Sequence, residues 1–147
     1  MNKAKYLRSQ MEDLHKKLDI KANIELKRDN RLGHYVAHVA KHSCQGCYDN
    51  YWIFRYNGKK IKKATKLEII MVILHEFGHI IQQHYSRQGK PNIQKEYEAE
   101  KFALEHINKY FPKQYNKALR FIKEYITHDD KIYRLAFTKL YEELKNG

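Results

Sequence analysis

Leu67-Glu68-Ile69-Ile70-Met71-Val72-Ile73-Leu74-His75-Glu76-Phe77-Gly78-His79-Ile80-Ile81 is the stretch on which the reading of this chain turns. Apolar residues fill nearly every position, too many for a one-sided stripe, so a helix here must be buried on almost all sides. Within it stand two histidines and a glutamate, groups that are costly to bury unless hydrogen-bonded, ion-paired or bound to a metal. His75 and His79 are four residues apart, so their imidazoles share one helix face, about 6 Å apart along the axis. That spacing suits two adjacent ligands of a tetrahedral zinc ion. Glu76, beside the first of them, is placed to take a proton from a water at such an ion. The plainer reading is a helix whose His and Glu side chains only hydrogen-bond within the fold. The five-residue pattern arises by chance in roughly 4% of chains of this size and composition, so its surroundings must carry the argument.

A catalytic zinc takes three protein ligands and a water. The candidates downstream are His84, Glu96, Glu98, Glu100, His106 and His128. The apolar helix is expected to run from Thr65 to about Tyr85, which would turn His84 about 140° away from His79. Ile80-Ile81-Gln82-Gln83 holds no glycine to break it. The segment Glu96-Tyr97-Glu98-Ala99-Glu100-Lys101-Phe102-Ala103 fits better. Glu96 and Glu100 share a face with Ala103, whereas Glu98 points elsewhere. Small residues at Ala99 and Ala103 allow a close approach to the first helix. In this reading Glu96 binds zinc and Glu100 orients a ligand imidazole through its other ring nitrogen. An ordinary solvated acidic face would show the same pattern.

Outward from these helices, the rest of the chain reads as α+β. Tyr6, Leu7, Met11, Leu14 and Leu18 predict an amphipathic helix over residues 3–18. Ile20, Ala22, Ile24 and Leu26 alternate as in a half-buried strand, followed by a turn over residues 28–33. Residues 35–40 and the aromatic run Tyr51-Trp52-Ile53-Phe54-Arg55-Tyr56 are two further strands, the last closed by an Asn57-Gly58 turn signal. Short links predict a small three-stranded antiparallel sheet. If residues 51–56 lie at its edge, they offer a strand for an extended peptide to pair with. Thr65-Lys66-Leu67-Glu68 fits a capping box that opens the buried helix. Three helices follow. One runs from Ile93 to Tyr110, ending before Pro112. The next has Tyr115, Ala118, Leu119, Ile122, Tyr125 and Ile126 on one face. The last carries Ile132, Leu135, Ala136, Leu140 and Leu144 beside the aromatic stripe Tyr133, Phe137 and Tyr141. Both stripes read as core, and residues 1–147 as one domain.

The formal charge is +12 from 29 basic and 17 acidic residues, densest at Lys59, Lys60, Lys62, Lys63 and Lys66. Such a surface attracts nucleic acid or an acidic partner non-specifically. No helix-turn-helix, RNA-recognition or zinc-finger pattern accompanies it, so a solvated lysine face is the simpler reading. The apolar run Ile69–Leu74 is far short of a membrane span, and the N-terminal residues lack the apolar stretch of a signal peptide. A cytoplasmic protein is expected. Cys44-Gln45-Gly46-Cys47 is half of a zinc knuckle without its second half. With His38 and His42 nearby, reduced loop thiols are favoured over a metal site.

His75-Glu76-Phe77-Gly78-His79, followed about twenty residues on by the Glu96-x-x-Ala99-x-x-Phe102-Ala103 helix, resembles the gluzincin clan of zinc peptidases. Within that clan it is similar to the ImmA/IrrE-like peptidases and the single-domain minigluzincins. The motifs cover roughly residues 65–105. The resemblance implies a zincin-like fold, one Zn2+ per chain, His75, His79 and Glu96 as ligands, and Glu76 as general base. The usual pattern has Asp or Asn where Glu100 stands, which leaves Glu98 and Glu100 open as alternative ligands. It also implies a protein or peptide substrate, with repressor proteins as the target class. Candidates to hold the developing oxyanion beside the metal are Tyr97, His128, Tyr133 and Arg134. The competing reading is a basic nucleic-acid- or protein-binding regulator of the same fold, with structural zinc or none.

Overall fold

The computed structural model describes residues 2–32, 36–42, 50–83, 92–125 and 130–146. The chain divides into two compact units, Met1–Glu76 and Phe77–Gly147. The division falls inside a single continuous helix.

The first unit contains helix α1 (Lys3–Lys17), strands β1 (Asn23–Arg28), β2 (Ala37–His42) and β3 (Tyr51–Tyr56), helix α2 (Gly58–Lys63) and most of helix α3 (Lys66–Ile81). Asn2 caps α1 by accepting from Lys5 N at 3.1 Å, and Leu7, Met11 and Leu14 form its buried face. The cap follows from an Asn at the helix start, and the buried face from the spacing of the apolar residues. The mixed α+β architecture matches the expectation, but the strand pairing corrects it. The sheet order is β1-β3-β2. β1 runs parallel to β3, Asn23 opposite Tyr51, while β2 runs antiparallel to it, Ala37 opposite Tyr56. The antiparallel meander is therefore a mixed sheet. Its cause lies in β3, where Trp52, Ile53 and Phe54 are consecutive and all buried. A strand covered on both faces belongs at the centre. β1, half-buried or exposed throughout, takes an edge. Because β1 and β2 occupy both flanks of β3, residues 51–56 offer no free edge to a peptide.

β3 ends at Asn57-Gly58 as expected, but the pair opens α2 instead of a turn: Asn57 Oδ1 accepts from Lys59 N at 3.1 Å and Lys60 N at 3.3 Å. Asn favours turns and helix caps alike, so only the chain beyond it decides. At α3 the capping box forms in part. Glu68 N donates to Thr65 Oγ1 at 3.1 Å, while the Glu68 carboxylate accepts from the Thr65 hydroxyl at 3.0 Å. The helix ends at Ile81, not near Tyr85. Gln83 adopts a φ of 55° and terminates it without a glycine. The expected rotation of His84 away from His79 required a helix continuous to about Tyr85, whereas α3 stops at Ile81. His84 itself lies outside the described residues, as do Gly33–Tyr35, the Cys44–Cys47 segment, residues 84–91, Ile126 and His128.

The second unit holds the end of α3, then α4 (Ile93–Tyr110), α5 (Tyr115–Tyr125) and α6 (Lys131–Asn146). Asn92 caps α4, accepting from Lys95 N at 3.2 Å, and Phe111 ends it before Pro112. Helices α4, α5 and α6 pack on one another through Ala103, Leu104, Ile107, Ala118, Ile122, Ala136, Phe137 and Leu140, all buried. On α6 the buried face centres on Ala136, Phe137 and Leu140. Leu135 and Leu144, expected on the inner stripe, are exposed. Ile132, Tyr133 and Tyr141 are half-buried, so the buried face lies between the aliphatic and aromatic stripes. No helix among the described residues is long and apolar enough to cross a membrane.

Candidate metal centre

Helix α3 is buried nearly all round: Ile69, Ile73, Leu74 and Phe77 are inaccessible to solvent. Six polar or charged side chains are buried among the described residues. Asn57 is the cap of α2; the other five are His75, Glu76, His79, Glu96 and Glu100. Among the described residues, the buried histidines and carboxylates thus all fall between positions 75 and 100, and each is costly to bury without a partner.

One donor atom from each of His75, His79 and Glu96 forms a group whose members all lie within 4.8 Å of one another. His79 Nε2 stands 3.3 Å from Glu96 Oε1. Placing the two imidazoles needs only the helix, since His75 and His79 are one turn apart on unbroken α3. Placing the carboxylate needs a second helix close by, and Gly78 supplies the space. A methyl group on Gly78 would lie 3.1 Å from Ala99 Cα, 3.1 Å from Ala99 O and 3.1 Å from Phe102 Cδ1. The backbones of α3 and α4 therefore approach as closely as a glycine permits. Glu96 is one turn before Ala99 on the same side of α4, so this contact delivers its carboxylate to His79. Sequence reasoning anticipated the small Ala99 and Ala103 but overlooked Gly78. The signal was present: glycine inside a buried helix costs about 1 kcal/mol relative to alanine and demands a packing reason.

The remaining predicted residues are distributed as follows. Glu98, two positions from Glu96 and about 200° around the helix, accepts from Gln94 Nε2 at 3.0 Å, and its carbonyl accepts from Gln82 Nε2 at 3.3 Å. It is not among the converging donors. Glu100, one turn past Glu96, is buried as deeply but stands outside the group of three. Tyr97 faces α6, where its hydroxyl donates to the Glu143 carboxylate, and Lys101 Nζ donates to the same carboxylate at 3.0 Å. Lys139 Nζ sits 4.2 Å above the Tyr97 ring. The Tyr97 bond, then Lys101, hold the Glu143 carboxyl below its ordinary range, and the same bond pushes the Tyr97 phenol up. Glu143 is a residue the sequence did not flag. On α6, Tyr133 packs edge-on against Phe137, its ring centroid 6.1 Å away, and Arg134 N donates to Asp130 O at 3.0 Å. His128 falls outside the described residues.

Comparisons with protein-family models, curated proteins and solved structures found no match. The chemistry must therefore be argued from the residues. Two imidazoles and one carboxylate are a common donor set for catalytic zinc, leaving a fourth position open. Donors about 2.1 Å from a tetrahedral ion stand about 3.4 Å apart. The His79–Glu96 separation of 3.3 Å agrees. The donor set fits zinc.

Proposed function

We propose that this protein is a zinc-dependent peptidase of the gluzincin, ImmA/IrrE-like kind, cutting a peptide bond in a protein substrate. The observation that carries the proposal is the convergence of His75, His79 and Glu96, with Glu76 next in sequence to the first ligand and itself buried. His75, His79 and Glu96 hold the ion. When bound, zinc supplies a Lewis acid that polarises the scissile carbonyl and makes a water acidic enough to deprotonate near neutral pH.

Glu76 does the proton work. Its carboxylate accepts a proton from the water as oxygen attacks the carbonyl carbon, then gives that proton to the departing nitrogen as the C–N bond breaks. The second oxygen of the developing tetrahedral centre calls for one further donor. The Tyr97 hydroxyl is committed to Glu143, which counts against it in that role. Glu100, buried on the Glu96 face of α4, is assigned the orientation of a ligand imidazole. The proposal places the enzyme in the cytoplasm, where the Cys44 and Cys47 thiols stay reduced. A repressor or similar regulatory protein is the proposed substrate class.

The test is Glu76→Gln. It preserves shape and hydrogen bonding, so the variant should bind zinc with near-wild-type stoichiometry and lose at least a hundredfold in hydrolysis of an unfolded protein substrate. Full zinc content with undiminished cleavage would remove Glu76 from the reaction. Wild-type protein that binds no zinc would favour the regulator reading instead.

A further inference from the structure

Helix α2 has no part in the zinc chemistry, yet the fold gathers charge around it. Its sequence, Gly58-Lys59-Lys60-Ile61-Lys62-Lys63, buries only Ile61. Lys59, Lys62 and Lys63 are exposed, and their ammonium groups make no ion pair among the described residues. Tertiary structure adds further cations that the linear run does not reveal. Lys3, from the start of α1, donates to the carbonyl of Ala64 at the end of α2. Arg28, from the end of β1, lies against the other end, its guanidinium filling the space that a methyl on Gly58 would need. Lys66, already part of that run, has its Nζ 5.6 Å above the Tyr6 ring. The nearby carboxylates are engaged elsewhere, Glu68 with Thr65 and Asp29 with Arg31 and Arg55.

Like charges drawn together from three segments repel one another, a cost that an anionic partner reverses. We propose that this face, Lys59, Lys62, Lys63 and Lys66 with Arg28 and Lys3 at its ends, binds the phosphate backbone of duplex nucleic acid without regard to sequence. Lysine ammoniums act as point charges toward phosphate, and α2 presents no Arg, Asn or Gln to read base edges. No aromatic ring projects from α2 to stack an unpaired base, which favours duplex over single strands. A membrane surface fits less well. Among the described residues the exposed large apolar side chains are Ile81, Ile93, Leu135 and Leu144, none of them on α2, and polybasic attraction without an apolar or lipid anchor is weak.

The experiment uses the full chain, a fluorescent 20-base-pair duplex of arbitrary sequence, and binding isotherms from low to physiological salt. Wild type should bind with an affinity that falls steeply as salt rises. The variant Lys59→Gln/Lys62→Gln/Lys63→Gln should bind at least tenfold more weakly, with a salt slope smaller by about 2.7, roughly 0.9 per lost contact. A control removing the same charge from the other unit, Lys113→Gln/Lys117→Gln/Lys123→Gln, should keep most of the affinity. Equal losses in the two variants would show that net charge alone is at work and overturn the assignment to α2. Tighter binding to phosphatidylserine vesicles than to the duplex would overturn it as well. Circular dichroism confirms folding, and these surface changes leave the buried core intact.

Discussion

Residues 75–100 and residues 58–66 handle ionisable groups in opposite ways. The first stretch buries His75, Glu76, His79, Glu96 and Glu100; the second leaves Lys59, Lys62, Lys63 and Lys66 in water. A buried imidazole or carboxylate persists only where a partner is held at the right distance, so its position is exacting. An exposed lysine keeps its hydration, tolerates movement and contributes through a field that adds over many residues. Substitution should therefore act abruptly in the first stretch and gradually in the second.

The largest effect expected is on the metal. Glu96→Ala or His79→Ala should reduce zinc content, measured by plasma emission on dialysed protein, to less than a tenth of wild type. Glu98→Ala should leave it unchanged, and the reverse result would move the third ligand. Next comes zinc removal. With free zinc at a hundred times its dissociation constant, a single site stabilises the fold by about 2.7 kcal/mol. Chelation should thus lower Tm by about 5–10 °C, and His79→Ala should abolish that response. Gly78→Val should follow, because its side chain must enter the contact with Ala99 and Phe102. Overpacking of this kind costs about 1–3 kcal/mol, and zinc affinity should weaken as α4 is pushed away. A Gly78→Val protein with unaltered stability and affinity would mean that the helix contact does not set the Glu96 position.

Tyr97→Phe is the mildest of these changes, since it removes a partly exposed hydrogen bond and leaves the ring. The sign of its pH dependence follows from Glu143. That carboxyl is held below its ordinary range, so its contribution is present at neutral pH and lost as the pH falls through the lowered value. Wild type should lose Tm more steeply than Tyr97→Phe across that acid range, with the two curves converging once Glu143 is protonated. Parallel curves would show that the Tyr97–Glu143 bond adds nothing to stability.

What could be read in advance depended on how local each feature is. The bounds of α4 were legible because Asn92 and Pro112 punctuate it within a turn of each end. β3 was legible from its aromatic run, and its residues match the expectation. Its place in the sheet was not, because strand order depends on which strand has both faces covered, and that depends on the whole unit. The end of α3 was misplaced for a different reason. Gln83 in a left-handed conformation is a strained choice for a residue with a Cβ, and no residue type announces it. Asn57 was ambiguous between turn and cap until the helix after it was seen. Leu135 and Leu144 were assigned inward on hydrophobicity alone, whereas the buried face of α6 centres on Ala136, Phe137 and Leu140 and leaves both leucines at its margin.

By itself the sequence determined that two imidazoles and a glutamate lie on a buried helix, His75 and His79 on one face, because helical periodicity is a property of the chain over a few residues. It also favoured Glu96 as the third donor, while leaving Glu98 and Glu100 open. The tertiary structure brings a Glu96 oxygen, and none from Glu98 or Glu100, within 4.8 Å of a nitrogen from each imidazole, and it brings Lys3 and Arg28 to the ends of α2. Distances between segments far apart in the chain are set by packing, which sums over many weak contacts and leaves no mark in any single stretch of residues.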